Sequence, residues 1–84
     1  MSTTRARALL AELVDPATAA SLEPDEDLVL AGVDSGDLIR LALAIEDRFD
    51  AQIDAGELEE LRTLEAVDRL LDDLERSRAA RGET

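Results

Sequence analysis

This sequence predicts an all-α fold, a bundle of three longer helices and one short third helix, with a long loop between the first two. Three observations predict it. Apolar residues recur at helical spacing in three separate runs, no segment shows the two-residue alternation of a strand, and both prolines fall in the connection between the first two runs. No internal repeat or second domain is visible in the 84 residues, a length near the lower limit for a single hydrophobic core.

The first helix is expected over residues 3–14. Thr3 or Thr4 can cap it, and Leu9, Leu10, Leu13 and Val14 share one face. Asp15-Pro16 ends it, because proline disfavours helical geometry in the residue before it. Residues 15–33 then read as an irregular connection with an acidic cluster (Glu23, Asp25, Glu26, Asp27), pinned to the core by Leu22, Leu28 and Leu30. A calcium loop is the sharper interpretation of that cluster, but it lacks the alternating oxygen ligands and central glycine of an EF-hand. A solvated loop fits better.

The second helix, residues 35–49, is the clearest. Asp34 is its N-cap, and Asp37 stands where a side chain can return a bond to the cap amide. Leu38, Leu41, Ile45 and Phe49 recur at spacings of 3, 4 and 4 and should be buried. Ile39 and Leu43 lie on another side. They either pack against the loop or a further helix, or form an apolar patch for a partner; periodicity alone favours the core. A short helix is expected from about Gly56 to Leu61. Thr63 caps a last helix from 64 to about 77 with a stripe of Leu64, Val67, Leu70, Leu71 and Leu74. Residues 1–77 thus form the domain, and residues 78–84 read as a flexible polar tail.

Composition narrows the function. There is no cysteine and no histidine, so the usual general base, soft nucleophile and zinc ligands are absent, and the chain reads as a non-enzyme. The formal charge is −12, and all nine basic residues are arginine. Such a field repels nucleic acid and anionic membrane and favours basic protein surfaces. No apolar run approaches the ~20 residues of a membrane span. The N-terminal residues lead into a mixed helix, not a signal-peptide core, so the chain reads as a soluble cytoplasmic monomer.

Ser35 is the candidate site. A serine in the first turn of a helix faces unpaired amides and the positive end of the helix dipole, both of which favour a phosphate ester. Serine is also common there for capping alone. Residues 34–60 hold nine carboxylates and two arginines, a net −7, beside that serine and the extra apolar residues. This is the layout of a docking surface.

The run from Asp25 to Ser35, an acidic-leucine stretch followed by Gly32-Val33-Asp34-Ser35, resembles the approach to the second helix of acyl carrier and peptidyl carrier proteins. Leu41 to Phe49 is similar to their leucine-rich helix ending in Glu-x-x-Phe. Ile53, Leu58, Leu61, Thr63 and Leu64 fit their third and fourth helices. The match spans about residues 5–75. The resemblance implies a four-helix carrier bundle in which Ser35 takes 4′-phosphopantetheine from coenzyme A through a separate phosphopantetheinyl transferase. Loading ligases or transferases and downstream enzymes would then use acyl or aminoacyl thioesters on the arm. It also implies that Ile39 and Leu43 meet partner enzymes, against the periodicity. Glu46 and Asp47 would meet basic residues, and Leu41, Ile45 and Phe49 would be core.

Two positions depart from the family pattern. Gly36 stands where a leucine usually follows the serine, and Arg40 stands where carriers of fatty acid synthesis tend to be acidic. With Asp34 they complete the expected partner surface, and Arg40 favours a polyketide or non-ribosomal peptide pathway of the antibiotic-producing kind. Met1 and the short length favour a free-standing protein. The alternative is an acidic helical docking module whose serine is never modified.

Overall fold

The computed structural model describes residues 4–82. It contains α1 (Thr4–Ala11), α2 (Pro16–Ser21), α3 (Ser35–Phe49), α4 (Ala55–Glu60) and α5 (Leu64–Gly82), with no strand among the described residues. The all-α bundle is therefore as expected, with one short helix added inside the first connection. Helix α1 packs on α2 and α5, and α3 packs on α4 and α5.

The core is aliphatic. Leu10, Leu28, Leu41, Ile45, Leu64 and Val67 are its largest fully buried side chains. Each comes from a stripe at helical spacing or from the connection leading to α3. Phe49, expected among the core residues, is only half-buried and packs on the edge of the cluster. Leu30, expected as an anchor, is instead fully exposed in character, while Val33 is buried. Asp68 is also buried, between the apolar positions Val67 and Leu71 of α5.

Helix α2 escapes pattern recognition because Pro16-Ala-Thr-Ala-Ala-Ser21 carries no large apolar side chain. Pro16 opens it, since a proline at the first helical position lacks only an amide that would be unpaired anyway. Six residues have little helical stability of their own. The guanidinium of Arg7, on α1, supplies the rest: Nη1 donates to the carbonyls of Ala19 (2.6 Å) and Leu22 (2.8 Å) at the C-terminal end of α2. A cation there also meets the negative end of the helix dipole.

The other boundaries shift for local reasons. Helix α1 stops at Ala11, not 14, because its last turn tightens: the Glu12 and Leu13 amides donate three residues back, to Leu9 and Leu10. Helix α5 runs past 77 to Gly82, carried by arginine and alanine, which favour helix without packing. Thr3, and Glu83 and Thr84 of the expected tail, lie outside the described residues. Asp54 and Thr63 cap α4 and α5, accepting from the amides of Glu57 (2.8 Å) and Ala66 (3.1 Å).

Burial divides the apolar residues sharply, and mutation should follow it. Leu41→Ala is expected to lower unfolding stability by about 2–5 kcal/mol through the cavity it leaves. Ile39→Ala, on the exposed side of the same helix, should change it by about 0.5 kcal/mol or less. Urea unfolding midpoints of the two variants check both.

Candidate functional site

Ser35 is the first residue of α3, and its side chain is exposed. Asp34 caps the helix in extended conformation, and its carboxylate accepts from the Gly36 amide at 3.1 Å. The Asp34 carbonyl accepts from the amides of Asp37 (3.0 Å) and Leu38 (3.2 Å). The amides of the first turn that follow Ser35 are thus already taken up by Asp34, and a phosphate group would find no open cradle there, contrary to the sequence expectation. The return bond expected from Asp37 does not form either: its carboxylate pairs with Arg40 at 3.5 Å. Val33, just before the cap, and Leu38 on the next turn both enter the core. This apolar clasp across the cap fixes the angle at which the chain enters the helix.

The segment leading to Ser35 is set by Asp27. One of its carboxylate oxygens accepts from the amides of Val29 (2.9 Å) and Leu30 (3.2 Å), and the other from the Arg62 guanidinium (2.9 Å). The Ala31 amide donates to the Asp27 carbonyl at 3.0 Å and the Val33 amide to the Leu28 carbonyl at 2.9 Å, so residues 27–33 fold into a tight double turn. Gly32 within it has φ +104°, with open space around it; the backbone conformation, not crowding, requires glycine. The turn is stitched to the α4–α5 junction by Leu28 N–H to the Arg62 carbonyl (2.7 Å) and by Glu65 N–H to the Pro24 carbonyl (3.1 Å).

On α3 the structure separates two faces. Leu38, Leu41, Ala42 and Ile45 are buried, whereas Gly36, Ile39, Arg40, Leu43 and Asp47 are exposed. Gly36, Arg40, Leu43 and Asp47 recur at spacings of 4, 3 and 4, so they share one side of the helix with Ile39. Periodicity had favoured burial of Ile39 and Leu43, and the structure reverses that. Glu46 differs from the rest: it is half-buried, and Oε2 accepts from the Ile53 amide at 2.7 Å. It anchors the connection after α3, whose last turn closes through Asp50 in the left-handed region at φ 50°.

Sequence patterns had placed Asp27 only in an acidic cluster and Val33 only in the run before Ser35, and gave neither them nor Arg62 a structural role. An aspartate followed by backbone amides it can accept from is a turn signal, and Val33 before the cap is a clasp signal. Arg62 lies 35 residues from Asp27 and carries no such mark. Among the described residues, no group of acidic side chains is arranged to hold a metal ion, and no helix is long and apolar enough to cross a membrane. Chemically the site offers one exposed hydroxyl at a rigid helix start, beside a turn tied down at both ends.

The Leu30 amide above all, helped by Arg62 and the Val29 amide against partial burial, holds the Asp27 carboxyl below the usual carboxylate range. A carboxyl depressed in the folded state stabilises the fold fully above its unfolded pKa of about 3.9, and that contribution disappears as pH falls through the folded value. The stability gap between wild type and Asp27→Asn should therefore be constant near neutral pH, shrink on acidification below about pH 5, and vanish at the lowest pH at which both fold. Parallel urea titrations across that range check it.

A family model described as the phosphopantetheine attachment site matches residues 5–71 of the chain. No curated protein gives a match.

Proposed function

The chain belongs to the phosphopantetheine attachment-site family, and from that premise we propose that Ser35 is the attachment residue of a cytoplasmic acyl or aminoacyl carrier. The family carries 4′-phosphopantetheine covalently. The observation that supports Ser35 is its position: an exposed hydroxyl on the first residue of α3, next to a cap that already satisfies the turn without it.

The residues fit such a group in a particular way. Asp34 takes up the amides beyond Ser35, so a phosphodiester on Ser35 would not draw on those donors. Gly36 leaves open space beside it; a Cβ there would have the Asp34 carboxylate oxygen as its nearest neighbour, at 3.8 Å. The helix dipole still favours the added negative charge. When bound, the arm supplies a terminal thiol that holds acyl groups as thioesters. The chain's own part is to present the hydroxyl and a docking face. With no histidine or cysteine in the sequence, the base that receives the Ser35 proton as the oxygen–phosphorus bond forms belongs to the transferase, and the nucleotide half of coenzyme A leaves.

Ile39 and Leu43, flanked by Arg40 and Asp47, support a reading of this helix face as the surface for the transferase, the loading enzyme and later enzymes. A face of mixed sign, with Arg40 paired to Asp37, suits dedicated partners of a polyketide or non-ribosomal peptide pathway. Glu46 contributes indirectly, by fixing the end of the helix.

Incubation with coenzyme A and a broad-specificity phosphopantetheinyl transferase should add one phosphopantetheine to the wild type and none to Ser35→Ala, as read by intact mass. If the wild type is silent, Gly36→Leu tests transferase preference: loading of that variant keeps the carrier reading, and its silence replaces it with an unmodified docking module.

A further inference from the structure

Phe49 is the only aromatic residue of the chain, and it is half-buried. Its open side lines a groove of about 310 Å³ between α1, the last turn of α3 and α5. Ala8, Leu9 and Leu71 complete the apolar floor. This volume is at the lower end of the range for small-molecule sites, and a mostly apolar lining with a few polar groups is their usual character. The groove is separate from the Ser35 site. Ser35 and Phe49 are the first and last residues of α3, so about 21 Å of helix axis lies between them.

Three of the nine arginines, Arg5, Arg48 and Arg78, stand at the rim beside Glu12. They are not equivalent. Arg48 pairs with Glu12 at 2.7 Å, and Arg5 pairs with Asp72 and Glu75. Arg78 has no carboxylate partner among the described residues. Its guanidinium reaches only the Arg48 carbonyl, at 3.5 Å, the long limit of a hydrogen bond. The groove thus offers an apolar slot, two guanidinium groups neutralised by the chain's own carboxylates, and one with charge to spare. A second groove, of about 480 Å³ between α4 and α5, has the opposite character, with Glu57, Glu60 and Asp73 set against Arg69. An anion is admitted by the first rim and repelled by the second.

We propose that the α1–α3–α5 groove is a binding site for a free aliphatic carboxylate of medium chain length. The tail lies against Phe49 and Ala8, the parts of the floor that remain open to solvent, and the carboxylate sits on Arg78. A wholly apolar ligand leaves Arg78 unused, and a dianion exceeds the single unpaired cation. Binding is non-covalent and does not depend on modification of Ser35.

The test titrates octanoate into the full, unmodified chain and follows backbone amide shifts by NMR, with butanoate as the short-chain probe. Saturable shifts are expected, centred on Ala8, Leu9, Phe49, Leu71 and Arg78. Octanoate should bind at least about tenfold more tightly than butanoate, since each fully buried methylene is worth roughly fourfold. Arg78→Gln should weaken octanoate about fourfold, near the upper end for an exposed ion pair. Ala8→Leu, which fills the slot from an exposed helix position, should abolish binding. Should Ala8→Leu fail to fold, the exposed Arg78 position still decides the matter. No saturation by about 10 mM octanoate overturns the proposal. So do shifts centred on Leu61 and Leu70, which place the ligand in the other groove, and so does an Arg78→Gln affinity equal to that of the wild type.

Discussion

The Asp27 carboxylate is the side chain that joins the connection before α3 to the α4–α5 junction by hydrogen bonds. It receives two amides of its own turn and the guanidinium of Arg62, 35 residues on. An exposed ion pair alone contributes about 0–1 kcal/mol. Here the same carboxylate also accepts charge-assisted bonds from two backbone amides, and backbone bonds at Leu28 and Glu65 run beside it. Together they fix where the connection crosses the α4–α5 junction. The burial of Leu28 and Val33, the start of α3 and the outward set of Leu30 follow from that crossing.

Much of this was legible in the sequence, and what was missed has identifiable causes. The stripes of α1, α3 and α5 and the caps Asp34 and Thr63 could be read because period and cap chemistry are local. Helix α2 could not, since its small residues give no stripe and its stability comes from Arg7 on another helix. In Leu28-Val-Leu-Ala-Gly-Val33 every residue but the glycine is apolar, so no period says which side chains turn inward; the hydrogen bonds of Asp27 decide it. Ile39 and Leu43 illustrate a different limit. A helix apolar on two sides does not say which side is core until its neighbours are placed, and only resemblance to the carrier proteins pointed outward. The exposed position of Ser35 at the start of α3 could be read from its cap context, but the open amides expected around it could not, because Asp34 reaches Gly36 and Asp37 turns to Arg40.

The division of labour on α3 follows from small size. An 84-residue chain with one aromatic has few side chains to bury, and one face of this helix supplies Leu41 and Ile45 to the core. The opposite face is then free for contacts that do not contribute to folding. Glu46 stands at the border between the two, holding the Ile53 amide and thereby the turn after the helix, so that the exposed face ends at a fixed point.

Every cation in the ion pairs of the described residues, and the one that closes α2, is an arginine. The whole chain has no lysine, cysteine or histidine. A guanidinium keeps its proton throughout the physiological range and is a poor nucleophile. The scaffold therefore supplies positive charge for structure while offering no side-chain amine, thiol or imidazole that could capture an activated acyl group.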